Sequence, residues 1–532
     1  MTLTIAEKLK FSVDSAPADG LAMARLLADG DRESRLRFAI EDMTIDLTRQ
    51  KVTDDHLHLL LQFADDKQVM EKCHAMLDGE TVNPSEQRPA LHAHLRDPSQ
   101  PMAQASVDAM AGHIDQLMEM GITDVVSIGI GGSDLGPAMA VAALSPYHQG
   151  PDIHFVSNLD PAHIGDCLAG LNPATTAVLV ISKSFSTMET MANMHMAKRW
   201  FADHEQNASD RMLAITSMPD KAMDAGFDKD MILRFDAAIG GRYSIWSVVG
   251  FGLMLAIGPS GFRAMLAGGH AVDEHILSVP NHQNAPLNMA LMRYWNTTML
   301  GHTTESLCPY DQRLARFSAW VQQLEMESNG KSVNAMGEPV DGHTAPIVFG
   351  EPGSNAQHSY FQHLHQSPII TPITFMAPLR PLMADANMAA DLVADHHDAL
   401  VIQMLAQADT LALGSQIEGS QIEGNHAQDN HVQGKKDATF RGGRPSSLIT
   451  WLQVSPYTLG RLFALFEYVT TMSGSLWGLN SFDQPGIELG KKRARTYQDI
   501  YNMDGESKNM GTSSRHIFKQ LQDLRSGPQI KS

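Results

Sequence analysis

The sequence predicts an α/β protein with two doubly wound, mostly parallel sheets, and three observations carry that prediction. Short β-rich runs alternate with helix-length segments from about residue 106 onward. The alternation restarts after about residue 280. Glycine-rich or hydroxyl-rich loops fall directly after the runs, on the side where open α/β sheets hold ligands. Strands separated by helices pair in parallel, because a parallel pair needs a crossover long enough for a helix. A chain of 532 residues has room for two or three such domains with large cores.

In chain order, residues 1–105 read as a mainly helical, charged segment expected to pack on the second domain. Stretches 21–27, 36–47 and 57–76 carry apolar residues at helical spacing. Asn83-Pro84-Ser85-Glu86 is a helix-start or turn signal. Residues 106–280 form the first α/β domain, with strand runs at 124–130, 153–157, 177–182, 212–216 and 231–235 and a long apolar helix pair over 247–277. Residues 281–480 form the second, with strands at 304–309, 346–349, 370–375 and 447–454. Its helices are expected over 285–299, 311–325, 354–366, 384–411 and 457–477. Residues 481–532 are a C-terminal helical tail. Residues 415–419 (SQIEG) repeat at once as 420–424, and a polar stretch runs on to 437. This insert, within 412–440, reads as a surface loop, with a metal role for His426 and His431 as the alternative.

Composition narrows the function. The chain is 43% hydrophobic and 19% charged, as for a water-exposed globular protein, and its net charge is -20. So acidic a molecule is a poor partner for nucleic acid or an anionic membrane, and neither is expected. An anionic substrate would need a site of local positive potential. Cys73, Cys167 and Cys308 lie far apart with no CxxC pair, which fits a reducing cytosol. The N-terminus lacks the apolar core of a secretory signal. The longest apolar run, 248–257, is shorter than the roughly 20 residues a membrane helix needs.

Six constellations could carry chemistry. Met326-Glu327-Ser328-Asn329-Gly330-Lys331 is expected directly after helix 311–325. A carboxylate held at a helix end suits proton abstraction beside a carbonyl. Gly129-Ile130-Gly131-Gly132-Ser133-Asp134 follows a strand and opens a helix, so its N–H groups can approach an anion. It is no dinucleotide fingerprint, since Asp134 stands where the third glycine would fall; a plain strand-to-helix turn is the alternative. Ser182-Lys183-Ser184-Phe185-Ser186-Thr187 also follows a strand, and its hydroxyls can ring a phosphate; the alternative is a polar loop with an N-cap. In Gly240-Gly241-Arg242-Tyr243-Ser244 the arginine is a fixed cation able to stabilise an oxyanion, or else a surface arginine after a turn. Helix 354–366 begins near His358, an acid/base candidate, and ends near His363 and His365. These three lack metal-ligand spacing. The late stretch 480–492 places Lys491 after a glycine-rich turn, at a site edge or merely solvated.

Together these motifs closely resemble the glucose-6-phosphate isomerase family. The match runs from about Glu41 into the C-terminal tail and includes the stretch from Asn83 to His92, the Ser-Lys-Ser-Phe-Ser-Thr loop, Gly-Gly-Arg-Tyr-Ser, Met-Glu-Ser-Asn-Gly-Lys and Ser-Phe-Asp-Gln-Pro-Gly-Ile-Glu-Leu-Gly-Lys. The resemblance implies two sugar-isomerase (SIS-type) domains, a cytoplasmic homodimer, and reversible interconversion of glucose 6-phosphate and fructose 6-phosphate without metal or organic cofactor. By motif, Glu327 is similar to the base that moves a proton between C1 and C2, and Arg242 to the cation beside the enediol. His358 and Lys491 match the ring-opening pair, with the histidine supplied by the partner subunit. Ser182, Lys183, Ser184 and Thr187 match the phosphate loop. Gly132, Ser133 and Gln484 match sugar-contacting positions. Ser184 and Ser186 stand where threonines are frequent, and Ala237 where an acid is frequent. A catalytically dead sugar-phosphate sensor would be the rival class, but it could dispense with Glu327, Arg242, His358 or Lys491, and all four are present. Nothing in the sequence points to secretion as a signalling factor, and activity on mannose phosphate stays open.

Overall fold

The computed structural model describes residues 3–14, 22–383, 388–414, 440–502 and 510–526. The insert and its two histidines lie largely outside them. The chain divides into two compact units, Met1–Phe482 and Asp483–Ser532.

The first unit holds eleven strands among the described residues: β1 (Arg37–Ile40), β2 (Met43–Asp46), β3 (Asp124–Ile128), β4 (Asp152–Val156), β5 (Thr176–Ile181), β6 (Met212–Thr216), β7 (Ile232–Arg234), β8 (Thr304–Pro309), β9 (Ile347–Phe349), β10 (Ile373–Pro378) and β11 (Ser446–Trp451). Five make an all-parallel sheet in the order β4-β3-β5-β6-β7. β5 and β6 are buried at every position, as strands covered by helices on both faces must be. The other sheet runs β1-β2-β11-β10-β8-β9, with β8 to β11 parallel. In each sheet the first parallel strand is flanked by the second on one side and the third on the other. That reversal opens a crevice at the carboxyl ends of β3 and β5, and another at those of β8 and β10. The expected fold class, two doubly wound and mostly parallel sheets, is therefore what the chain adopts.

The N-terminal segment departs from expectation at 36–47, where helical spacing was expected. Residues 37–46 form a hairpin whose second strand pairs antiparallel with β11. Phe38, Ile40, Met43 and Ile45 point to the core while Arg37 and Ala39 are exposed. This is a period-two pattern, and two four-residue strands are too short to separate it from helical spacing. The Asn83 signal is a turn, closed by a bridge between Asn83 and Arg88.

Two long helices join the halves. Phe251–Ser278 packs along Pro456–Trp477. The first is kinked at Gly258 (φ 74°), just before Pro259, which accounts for its reading as a helix pair. With the preceding turn it is long and apolar enough to cross a membrane, yet 72% of its apolar window is buried inside the protein. Arg96 locks both helices, donating to Asp273 on one and Glu467 on the other at 2.7 Å each. Burial pushes the Glu467 carboxyl up to about 7. Other boundaries shift modestly. The helix expected over 311–325 starts late, at Phe317, after a separate turn, and ends at Asn329. The helix expected over 354–366 is broken into Gly353–Gln357 and Phe361–Gln366. In the second unit, Glu488–Asn502 and Thr512–Ser526 are helical.

Candidate active site

Glu327 sits in the last turn of helix Phe317–Asn329, rather than beyond a helix ending at 325. That helix follows β8 but lies against the other half of the unit. A Cβ on Gly131 would come within 2.9 Å of Gln323 Nε2, and Gly136 faces the Trp320 ring. The carboxylate therefore reaches the crevice of the five-stranded sheet. Gln323, one turn earlier on the same face, donates to Glu327 Oε2 at 2.9 Å. Arg242 Nη1 stands 3.9 Å from the same oxygen. Glu327 keeps 21% of its side chain exposed against 2% for Arg242, so the acid is reachable and the cation is fixed.

Three loops converge beside this pair. After β3, Gly131 (φ +62°) starts a tight turn through Ser133, a conformation that only glycine adopts without strain. Gly132 then packs on the Gly241–Arg242 peptide so closely that a Cβ would overlap Gly241 O and lie 2.7 Å from Arg242 N. After β5, the Ser182 and Thr187 hydroxyls are 3.1 Å apart, and Thr187 is the N-cap of helix Met188–Asp203. Ser186 donates to Ser184 at 2.9 Å. Phe185 anchors the loop by burying its ring against Phe227, at a left-handed φ of 45°. Lys183 Nζ donates to Ala237 O (2.7 Å) and Ile239 O (2.9 Å), which ties this loop to the Gly240–Arg242 turn. Burial, and then the neighbouring Arg88, lower the Lys183 ammonium to about 8.

Arg242 is held from behind. Its Nε donates to Ser328 Oγ at 2.6 Å and its Nη2 to Ser481 O at 2.7 Å. Tyr243, with its OH 3.0 Å from Ser328 Oγ, stacks on His92 at 4.7 Å. Burial and then Arg96 push His92 down to about 3, leaving it neutral. Asp134 is raised by burial.

Gly132, Ser133, Ser182, Lys183, Ser184, Thr187, Arg242 and Glu327 are thus brought to one crevice. His358 caps helix Gly353–Gln357, which follows β9 of the six-stranded sheet, and is exposed at the surface. Gln484 and Lys491 belong to the second unit, Lys491 on an exposed stretch of Glu488–Asn502. Sequence reasoning overlooked Gln323, although its i,i+4 spacing to Glu327 was readable. It also overlooked Ser328, Tyr243 and Ser481 as supports, for which only the motif boundaries gave a hint. Among the described residues no group of three or more His, Cys, Asp or Glu is placed to hold a metal.

Comparison with known proteins fits this geometry. The family model described as phosphoglucose isomerase matches residues 46–517. The glucose-6-phosphate isomerase of Brucella ovis is 39% identical over 516 residues, 92% of each chain. That of Xanthobacter autotrophicus is 41% identical over 496 residues, 89% of each. Among solved structures, a glucose-6-phosphate isomerase from Chlamydia trachomatis superposes with a TM-score of 0.84 at 28% identity, covering 98% of this chain and 99% of its own.

Proposed function

The chain belongs to the phosphoglucose isomerase family of aldose–ketose isomerases, and from that premise we propose that it interconverts glucose 6-phosphate and fructose 6-phosphate through a cis-enediol, in glycolysis and gluconeogenesis. The observation that carries this reading is the pair at the helix end: an accessible Glu327 carboxylate 3.9 Å from a buried Arg242 guanidinium. A carbon acid beside a carbonyl is weak, so its deprotonation needs an aimed base and a cation where the oxyanion forms. Glu327 takes the proton from one of C1 and C2 and returns it to the other. Arg242, with two of its nitrogens already committed to Ser328 and Ser481, faces the developing enediolate without having to reorganise.

Ser182, Ser184 and Thr187 hydrogen-bond the phosphate, helped by Lys183 and by the N-terminus of helix Met188–Asp203. Gly132, Ser133 and Gln484 contact the sugar. Ring opening falls to His358 and Lys491. The exposure of His358 at the end of helix Gly353–Gln357 supports its donation across a homodimer interface into the partner's site. The protein acts in the cytoplasm and uses no metal or organic cofactor.

One assay tests the reading. Purified protein is given fructose 6-phosphate in D2O with excess chelator, and glucose 6-phosphate is followed. Turnover with deuterium entering at C2 is expected. A requirement for added metal, or sugar phosphates that carry no deuterium even after prolonged equilibration with the enzyme in D2O, would overturn the proton-transfer route.

A further inference from the structure

Behind Arg242 lies a run of polar groups that the reaction itself does not touch. Glu325, two residues before Glu327, is fully buried. Its Oε2 accepts from Arg293 Nη1 at 2.7 Å and from Thr470 Oγ1 at 2.8 Å. Its Oε1 accepts from Asn329 Nδ2 at 2.9 Å, and the same nitrogen donates to Thr470 O at 2.8 Å. Asn329 Oδ1 in turn accepts from Ser481 Oγ at 2.7 Å. Ser481 O then receives Arg242 Nη2 at 2.7 Å and Tyr243 OH at 3.2 Å. Every member from Arg293 to Arg242 is at most 6% exposed.

The helix opposite is cut to fit. A Cβ on Gly474 would overlap Ser481 Oγ and lie 2.6 Å from Asn329 Oδ1. Gly474 sits inside helix Pro456–Trp477, where glycine is unfavourable by roughly 0.5–1 kcal/mol relative to alanine. Room for the Asn329–Ser481 bond offsets that cost. A buried amide and hydroxyl left unpaired would be costly, so the run is satisfied as a whole or not at all.

We infer that Glu325, Asn329 and Ser481, admitted by the notch at Gly474, are positioning residues that hold the Arg242 guanidinium at its separation from Glu327. The separation matters because Gln323 already donates to Glu327 Oε2, and Arg242 at direct hydrogen-bond distance would tie down the carboxylate further and close the approach of a proton to it. Further away, Arg242 would miss the oxyanion. The run fixes the helix end that carries Glu327 through Glu325 and Asn329, and fixes Arg242 through Ser481, so the Asn329–Ser481 bond couples the two alongside the direct bond from Arg242 Nε to Ser328 Oγ. This rests on the roles proposed for Glu327 and Arg242.

The test uses Ser481→Ala, Gly474→Ala and the double variant, in the full-length enzyme, with kcat, KM and melting temperature measured for each. Ser481→Ala removes the bond and leaves a small void. It is expected to lower kcat on the order of tenfold, as displaced groups do, with KM within about twofold, the pattern of a loss felt at the transition state. Gly474→Ala forces Ser481 aside and lowers both kcat and melting temperature. In the double variant the added methyl no longer meets the Ser481 hydroxyl but still crowds Asn329 Oδ1. Its melting temperature should recover in part while kcat stays low. Recovery of wild-type kcat in the double variant would reduce the run to packing and overturn the inference, as would an unchanged kcat in Ser481→Ala. Glu327→Gln is run alongside: if that variant turns over normally, the catalytic reading itself fails, whatever Ser481→Ala does.

Discussion

The two sheets carry the same kind of crevice and fill it with different chemistry. At β3 and β5 the walls are glycine peptides and a ring of serine and threonine hydroxyls, with Lys183 and Arg242 behind them. At β8 and β10 the crevice is a cavity of about 340 Å³ walled by Tyr310, Asp311, Arg313, Pro378, Leu382 and His397 among others, with no serine, threonine or glycine among the described lining residues. Proline has no N–H to offer, and Asp311 brings a carboxylate where a phosphate would sit. Topology supplies a place for a ligand, and side chains decide whether an anion can use it. The six-stranded half nevertheless takes part, because the helix following β8 carries Glu327 across to the other crevice.

The contrast can be broken most forcefully at that crossing. Glu327→Gln keeps the shape and removes the proposed base. Its kcat should fall about 10²–10⁴-fold, while calorimetry shows fructose 6-phosphate still bound; near-normal turnover would detach the acid from the chemistry. The hydroxyl ring comes next. Ser182→Ala should raise KM roughly 10-fold or more, as expected for a lost hydrogen bond to a charged group, with kcat little changed in the coupled assay. The third effect is one of pH. Lys183 is protonated below about 8 and neutral above it, and only the ammonium attracts a phosphate dianion. The free-enzyme profile of kcat/KM should therefore decline as pH rises through about 8. Lys183→Met should flatten that limb and lower the plateau beneath it. The smallest effect belongs to the second crevice: Arg313→Ala should leave kcat and KM within about twofold, the scatter of ordinary surface changes. A large loss there would mean that both crevices serve the reaction.

Much of this was readable in the chain, and what was not has physical causes. Met212–Thr216 falls where its apolar run does, because a central parallel strand is apolar on both faces. The loops after β3 and β5 were legible because glycine and hydroxyl clusters are local signals. The hairpin 37–46 was not, since it forms only by pairing with β11, about four hundred residues away. Asp311 looked like a helix start, yet it caps a separate short turn and the α-helix begins at Phe317. The same helix runs on to Asn329, and that extension places Glu327 inside it. Glu325, Asn329 and Ser481 gave no sign individually, for a buried polar residue is explained only by its partners, and those come from distant segments. The roles of Gln484 and Lys491 rest on motif alone, in a unit of their own.

The hairpin has a bearing on how the protein is made. Its second strand, Met43–Asp46, leaves the ribosome early, and its neighbour Ser446–Trp451 leaves late. At the usual 5–20 residues per second, that is a wait of about 20–80 s. Throughout it the nascent chain exposes an unpaired strand edge, the kind of surface on which chains associate wrongly. The first sheet has all its strands by residue 234 and can form meanwhile, so synthesis in a crowded cell should favour helpers that shelter the leading fifty residues or so until the closing strand emerges.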